Sequence, residues 1–205
     1  MATAKKLLEL ARGEIGVKEN PAGSNKVKYC DEYGGSPSAW CCKFIWWLFK
    51  TANASNLFYG GKKTAYCPTL QDYHRKARQT VTGDYQPGDI IFFDFNGNKK
   101  PDHVGICESW NGSYITTIDG NTGEGNEANG GAVMRRTRHA KYICGAYRPA
   151  YDLEEPKDTP SEWADFAWNK AFELGLLDGT RPQDPMTREE FAVVLMKVLN
   201  LSSAF

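Results

Sequence analysis

The sequence predicts an α+β protein that carries a small helical unit at its C-terminal end. Apolar residues at helical spacing come first, and short apolar or alternating runs broken by Asn-Gly turns fill residues 88–147. A proline- and acid-rich stretch at 149–160 then separates both from a second helical pattern. With 205 residues, 41% of them hydrophobic, the chain can bury one core of about 150 residues and still carry a smaller unit. The organisation expected is a domain over 1–150, a linker over 151–160 and a C-terminal unit over 161–205.

The first element is a helix, because Leu7, Leu8, Ala11 and Ile15 share one face. The stretch lacks the continuous apolar run and cleavage site of a signal peptide, so synthesis in the cytosol is expected. No run approaches the ~18 apolar residues that a membrane span requires, and no membrane insertion is expected. The polar stretch from Lys18 to Trp40 reads as loop with at most one short helix. Trp40 to Phe49 is intensely apolar and free of Gly and Pro, which favours a buried helix starting near Cys41. Five strands are then expected, in DIIFFDF, HVGICES, SYITTID, GAVMRR and KYICGAY, with turns at Asn96-Gly97 and Asn111-Gly112. Beyond the linker, Thr159-Pro160-Ser161-Glu162 has the form of a capping box with proline at the first helical position. Trp163, Phe166, Ala167, Ala171 and Leu174 follow as one apolar face ending at Gly175. A second box, Thr187 to Glu190, opens a helix with Phe191, Val194, Leu195 and Val198 on its face. Such a helical hairpin is too small for secure independent stability, so it should pack on the first domain or on a second copy of itself.

Lys+Arg and Asp+Glu both number 25, which gives no sign of a nucleic-acid partner. The balance is uneven, with 20 basic and 15 acidic side chains in residues 1–152 and 5 and 10 in 153–205. A mildly basic first domain suits an anionic wall polymer but equally an ordinary solvated surface. The six cysteines include no Cys-x-x-Cys pair, and the histidines at 74, 103 and 139 have no second ligand at zinc spacing. Most of the thiols therefore read as reduced, buried hydrophobes, and no cofactor is expected. Asp94, Asn96, Asn98 and Asp102 space oxygens around Gly97 faintly like a calcium loop. Lys99, Lys100 and the missing terminal glutamate favour a polar hairpin tip instead.

Cys41 stands out chemically. A helix N-terminus stabilises a thiolate through its unpaired amides, and Cys41 falls at such a start. In Asp102-His103-Val104-Gly105-Ile106-Cys107, strand alternation puts His103, Gly105 and Cys107 on one face, and Gly105 leaves room beside the imidazole for a backbone or a substrate. Asp119 and Asn121 lie two apart at the end of a strand, so both should point the same way. Either can supply the third polar group that orients a catalytic base, Asp119 being the first choice.

Five segments, in order, resemble the motifs of the CHAP family of cysteine- and histidine-dependent amidohydrolases/peptidases. They are Gly16-Val17-Lys18-Glu19-Asn20, Trp40-Cys41-Cys42-Lys43-Phe44-Ile45, Pro87-Gly88-Asp89-Ile90-Ile91-Phe92-Phe93, Asp102-His103-Val104-Gly105-Ile106 and Ile118-Asp119-Gly120-Asn121-Thr122. The resemblance covers about residues 4–150. It implies a papain-like fold of N-terminal helices on an antiparallel sheet, with Cys41 rather than Cys42 as nucleophile and His103 as base. The implied reaction is attack on an amide of bacterial peptidoglycan, by an endopeptidase or an N-acetylmuramoyl-L-alanine amidase. Asn25, Tyr29 and Trp40 are the expected substrate-side residues, Asn25 or Tyr29 giving the second oxyanion donor. Some relatives in that family bind calcium. The C-terminal unit resembles a single S-layer homology repeat through Trp163-Ala164, Ala171, Leu174-Gly175-Leu176, Asp178-Gly179, Arg181-Pro182, Pro185 and Thr187-Arg188-Glu189-Glu190-Phe191. That implies binding of wall polysaccharide by Trp163, Thr187 and Arg188, with dimerisation through the apolar faces as a route to multivalency. The whole is similar to a phage endolysin, held in the cytosol and acting at the wall after release. The alternatives are a non-catalytic wall-binding protein and an intracellular thiol protease or amidase.

Overall fold

The computed structural model describes residues 2–152, 160–180 and 183–202, and its chain divides into two compact units, Met1–Asp152 and Leu153–Phe205. Seven α-helices and five strands are described. The first unit is the expected α+β arrangement of N-terminal helices packed on an antiparallel sheet.

Helix α1 (Ala4–Gly13) starts at Thr3, whose hydroxyl accepts the Lys6 amide, and buries Leu7, Leu8 and Ala11. The loop that follows contains one short helix, α2 (Lys28–Tyr33). Helix α3 (Cys41–Thr51) is the hub of the unit. Every residue from Cys41 to Phe49 is buried, in keeping with a segment apolar all round. Even Lys43 is buried, its ammonium lying on the Tyr33 ring and against the Cys30 sulfur. Two helices that hydrophobic spacing did not mark complete this layer, α4 (Ser55–Tyr59) and α5 (Cys67–Lys76).

The sheet has the order β4-β3-β2-β1-β5. Its strands are β1 (Ile90–Phe93), β2 (His103–Trp110), β3 (Tyr114–Thr122), β4 (Ala132–His139) and β5 (Ile143–Tyr147), each in one of the five expected segments. Alternation along β2 behaves as the pattern requires. Val104 and Ile106 join the large core shared with the helices, whereas Cys107 joins a second cluster with Ile91, Phe93, Ile115 and Ala146 on the other face. Asn111-Gly112 makes the β2–β3 turn, with Gly112 at φ 92°. Asn96-Gly97 instead sits inside a longer loop between β1 and β2. There the Asp94 carboxylate accepts the Gly97 and Lys99 amides, and Asp102 accepts those of Phe95 and Asn96. Three of these carboxylate oxygens, both of Asp94 and Oδ2 of Asp102, thus bind the loop's own amides, while Asp102 Oδ1 is buried without a hydrogen-bond partner. Among the described residues, no group of three or more His, Cys, Asp or Glu side chains is placed to hold a metal ion.

The Pro87-Gly88-Asp89 segment is a launching turn for β1. Gly88, at φ 93°, passes so close to α1 that an added Cβ would meet the Ala4 Cβ at 2.6 Å. Asp89 is buried, and its two oxygens take a fork from Arg148 at 2.8 Å each.

In the second unit, α6 (Asp165–Glu173) and α7 (Arg188–Ser202) are the expected helical pair. The first helix starts later than expected. Residues 161–164 form a turn closed by the Ala164 amide on the Ser161 carbonyl, with Ala164 as N-cap, while Thr159 of the expected box lies outside the described residues. Most of the linker and the Arg181-Pro182 pair also lie outside them. The second box is closed as read, the Thr187 amide donating to Glu190 Oε2 at 2.8 Å and the Glu190 amide to Thr187 Oγ1 at 3.1 Å. Many of the unit's apolar side chains remain exposed, among them Phe166, Phe172, Leu174, Phe191, Leu195 and Val198, and Trp163 is 90% exposed. No helix among the described residues is long and apolar enough to cross a membrane.

Candidate active site

Cys41 occupies the first position of α3. Trp40, the N-cap, adopts a non-helical conformation and supplies no side-chain cap, so the amides of the first turn face outward toward the thiol's surroundings. Trp40 itself is fixed by stacking on Tyr29 (centroids 5.3 Å apart) and by an indole hydrogen bond to Glu19 Oε1 at 2.8 Å. Helix α3 packs on β2 and β3, which brings its N-terminus to the strand ends that carry the imidazole and the acid.

His103, the first residue of β2, donates from Nε2 to Asp119 Oδ2 at 3.1 Å. Its Nδ1 makes no hydrogen bond and is the nitrogen left for the Cys41 thiol, whose charge the imidazole influences and is influenced by. His103 and Asp119 are thus in direct contact, and Cys41 lies near enough to His103 for each to shift the other's titration. The site is closely covered, with Cys41 4% exposed and both His103 and Asp119 at zero.

Thiols supply the next layer of the site. Cys67, the first residue of α5, places its sulfur 3.6 Å from that of Cys41 and 3.4 Å from that of Cys42. Hydrogen bonds from Cys42 and then Cys67 pull the Cys41 pKa well below the ordinary thiol range. Burial opposes them, and His103 adds to the lowering. The same contacts raise the Cys42 and Cys67 thiols, which favours charge on Cys41 over its two neighbours. Burial works against the His103 imidazolium, but the Asp119 hydrogen bond and then the Cys41 sulfur outweigh it, and its pKa rises to about 9. Asp119 is pressed upward by burial and downward by the nearby Arg138 charge and by His103, with a net lowering. The shifts run in the sense that favours a charged sulfur at Cys41 and a charged imidazole at His103 beside the Asp119 carboxylate.

Arg138, on β4, was not marked by the sequence pattern. Its guanidinium reaches Asp119 Oδ2 at 2.6 Å, pairs with Glu127 Oε2 at 2.7 Å and lies over the Phe93 and Phe95 rings. Nothing in an alternating run holding three arginines distinguishes the one that faces inward. Cys67 did leave a signal, a thiol immediately before proline at a helix start, which is the context that makes Cys41 notable. The remaining histidines are engaged elsewhere. His74 is held by the Phe58 carbonyl and Gln79, and His139 accepts the Lys141 amide.

Four expectations are corrected. Asn121 does not join the His103 hydrogen bond. The strand is irregular between Asp119 and Thr122, Asn121 takes φ 59°, and its amide donates to Asn129 Oδ1 at 2.9 Å. The space at Gly105 holds the acid rather than substrate, since an added Cβ would sit 1.9 Å from Asp119 Oδ1. Tyr29 is fully buried with its hydroxyl donated to Glu14 Oε2 at 2.5 Å, so it offers no oxyanion donor. Trp40 is likewise buried and props the helix start instead of meeting substrate. Asn25, at φ 55°, lines a hollow together with Glu19. In the second unit Thr187 is engaged in its capping box, while Arg188 and Trp163 are exposed.

The CHAP domain family model matches residues 32–121, a segment running from within α2 to near the end of β3 that includes Cys41, His103, Asp119 and Asn121. No curated protein sequence matches the chain significantly. Among solved structures, the crystal structure of Ly7917 is similar at 16% identity and a TM-score of 0.46, covering 72% of this chain and 62% of that one. The structure of Ly7917 with the hydrolyzing product of MDP gives 16% and 0.45 over the same shares. The wild type endolysin LysIME-EF1 gives 12% and 0.43, covering 75% and 67%. The chain thus spans less than two thirds of the length of Ly7917.

Proposed function

We propose that the first unit is a cysteine hydrolase that cleaves an amide of bacterial peptidoglycan, as an endopeptidase or an N-acetylmuramoyl-L-alanine amidase. The observation that carries the reading is the buried His103–Asp119 hydrogen bond at 3.1 Å beside Cys41 at the start of α3, with the Cys41 pKa lowered and that of His103 raised. The match of the CHAP family model to the segment bearing these residues supports it.

The Cys41 thiolate adds to the carbonyl carbon, and the oxyanion is met by the Cys41 backbone amide and by Asn25 as second donor. The His103 imidazolium gives its Nδ1 proton to the departing amine, leaving a thioester. Neutral His103 then takes a proton from water, whose oxygen attacks the thioester and restores the thiolate and the carboxylic acid product. Asp119 keeps the ring in orientation and supports its charge, and Arg138 keeps Asp119 ionised.

We further propose that the second unit retains the enzyme on wall polysaccharide through Trp163 and Arg188, with Thr187 shaping the helix start, and that its exposed apolar faces pair with a second copy. In this reading the protein is made in the cytosol and reaches the wall after release. The test is clearing of purified sacculi, with mass spectrometry of the soluble fragments. Clearing that Cys41→Ser abolishes supports the mechanism, and clearing that it leaves unchanged removes it. A freed lactyl group on muramic acid identifies the amidase, and a cut within the peptide the endopeptidase.

A further inference from the structure

Next to Trp40 and Asn129 lie two adjoining hollows of about 550 and 340 Å³, which share Glu19, Gly23, Gly123, Gly130 and Gly131. Bare backbone forms much of their walls. A Cβ on Gly130 would come within 2.1 Å of the Gly123 nitrogen, and one on Gly131 within 3.1 to 3.3 Å of the Glu19 carboxyl group. The glycines therefore let the 123 and 130–131 backbones close tightly on each other and on the Glu19 carboxyl at the floor of the hollows.

Glu19 is the feature without an explanation. It is 8% exposed, and Oε1 is used by the Trp40 indole, but Oε2 is buried with no hydrogen-bond partner. Removing a carboxylate oxygen from water without a partner is costly, and native proteins rarely leave one so. Of the charged groups lining the two hollows, Arg135 is committed to Glu108, Lys18 is solvent-exposed, and Glu124 adds a second negative charge. Trp40 directly precedes Cys41, so Glu19 is linked through the Trp40 indole to the residue next to the nucleophile.

We propose that this groove is a subsite for a primary ammonium group of the substrate, which donates to Glu19 Oε2 while the neighbouring amide is presented to Cys41. An ammonium fits better than a guanidinium, whose fork takes both oxygens of a carboxylate, since Oε1 is already occupied. Resting on the peptidoglycan reading, the ammonium is a free amino group of the wall peptide. Its source is either the side chain of the stem's diamino acid or the α-amine of a cross-bridge stub.

Glu19→Gln separates this role from simple support of Trp40, because a glutamine oxygen still accepts the indole hydrogen bond while the charge is gone. The probes are sacculi with free amines intact and the same sacculi N-acetylated with acetic anhydride, and the readout is the ratio of kcat/KM on the two. Loss of one charge-assisted contact predicts a wild-type ratio of about ten or more and a Glu19→Gln ratio near one. A structural role for Glu19 would lower both rates together and leave the ratio unchanged, which overturns the proposal, as does a wild-type ratio of one. A wild-type enzyme inactive on both preparations overturns the peptidoglycan reading itself. Repeating the comparison on directly cross-linked walls and on walls with amino-acid bridges assigns the source of the amine, and a preference in neither overturns the subsite.

Discussion

Replacing Asp119 with asparagine keeps the side chain's shape and removes the charge that holds His103 protonated. In the wild-type site the imidazole titrates at about 9, against a burial cost that by itself would lower it. Without the carboxylate it should fall toward the ordinary value of about 6.5, with burial and the thiolate pulling in opposite directions and Arg138 now uncompensated on that side. The change is worth about 3 kcal/mol of imidazolium stabilisation, at about 1.4 kcal/mol per pH unit. Because His103 must be charged to protonate the leaving amine, activity is present below its pKa and lost above it. At pH 8 the charged fraction falls from ~90% to ~3%, a loss of ~30-fold, whereas at pH 6 it falls by less than ~1.5-fold. The assay is kcat/KM for fragment release from sacculi between pH 5 and 10, with a thermal melt to establish that the variant is folded. A deficit that is the same at pH 6 and pH 8, or an alkaline limb that stays near 9 in the variant, would refute the assignment of Asp119.

Three further outcomes follow from the thiol cluster and the sheet. Cys67→Ala removes a hydrogen bond to the Cys41 thiolate, so its pKa should rise toward the ordinary thiol range and the acidic limb of iodoacetamide labelling should move to higher pH. In the wild-type chain at pH 6, peptide mapping should find Cys41 alkylated before Cys144. The latter is more exposed, but burial raises its pKa to about 11. Gly105→Ala drives a methyl into the Asp119 carboxylate and should cost about 1–3 kcal/mol of stability in a urea titration, together with most of the activity.

The fold was readable because its signals are local and strong. The five strand segments carry period-two or continuous apolar runs, and the helix from Cys41 has no competing turn residue. The two helices in residues 55–76 were not readable, since neither presents a long apolar face, and α5 is polar except where Cys67, Leu70 and His74 turn inward. At the site, Cys41, His103 and Asp119 could be named from helix start, strand face and strand end. Asn121 was misplaced because alternation fails where a residue adopts a left-handed conformation, and the bulge leaves no mark beyond an Asp-Gly-Asn triplet that also reads as a turn. Arg138, Cys67 and Glu19 act through contacts across long sequence separations, which periodicity does not encode.

Helix α3 bears the nucleophile on its first residue and the hydrophobic centre of the unit on the next eight. Any loosening of that interior displaces the sulfur, so thermal inactivation and melting of this unit should coincide, and lost lysis after storage would report unfolding before chemical damage. The glycines at 123 and 130 are as little open to change, because there one stretch of backbone lies against another and an added side chain would collide with it.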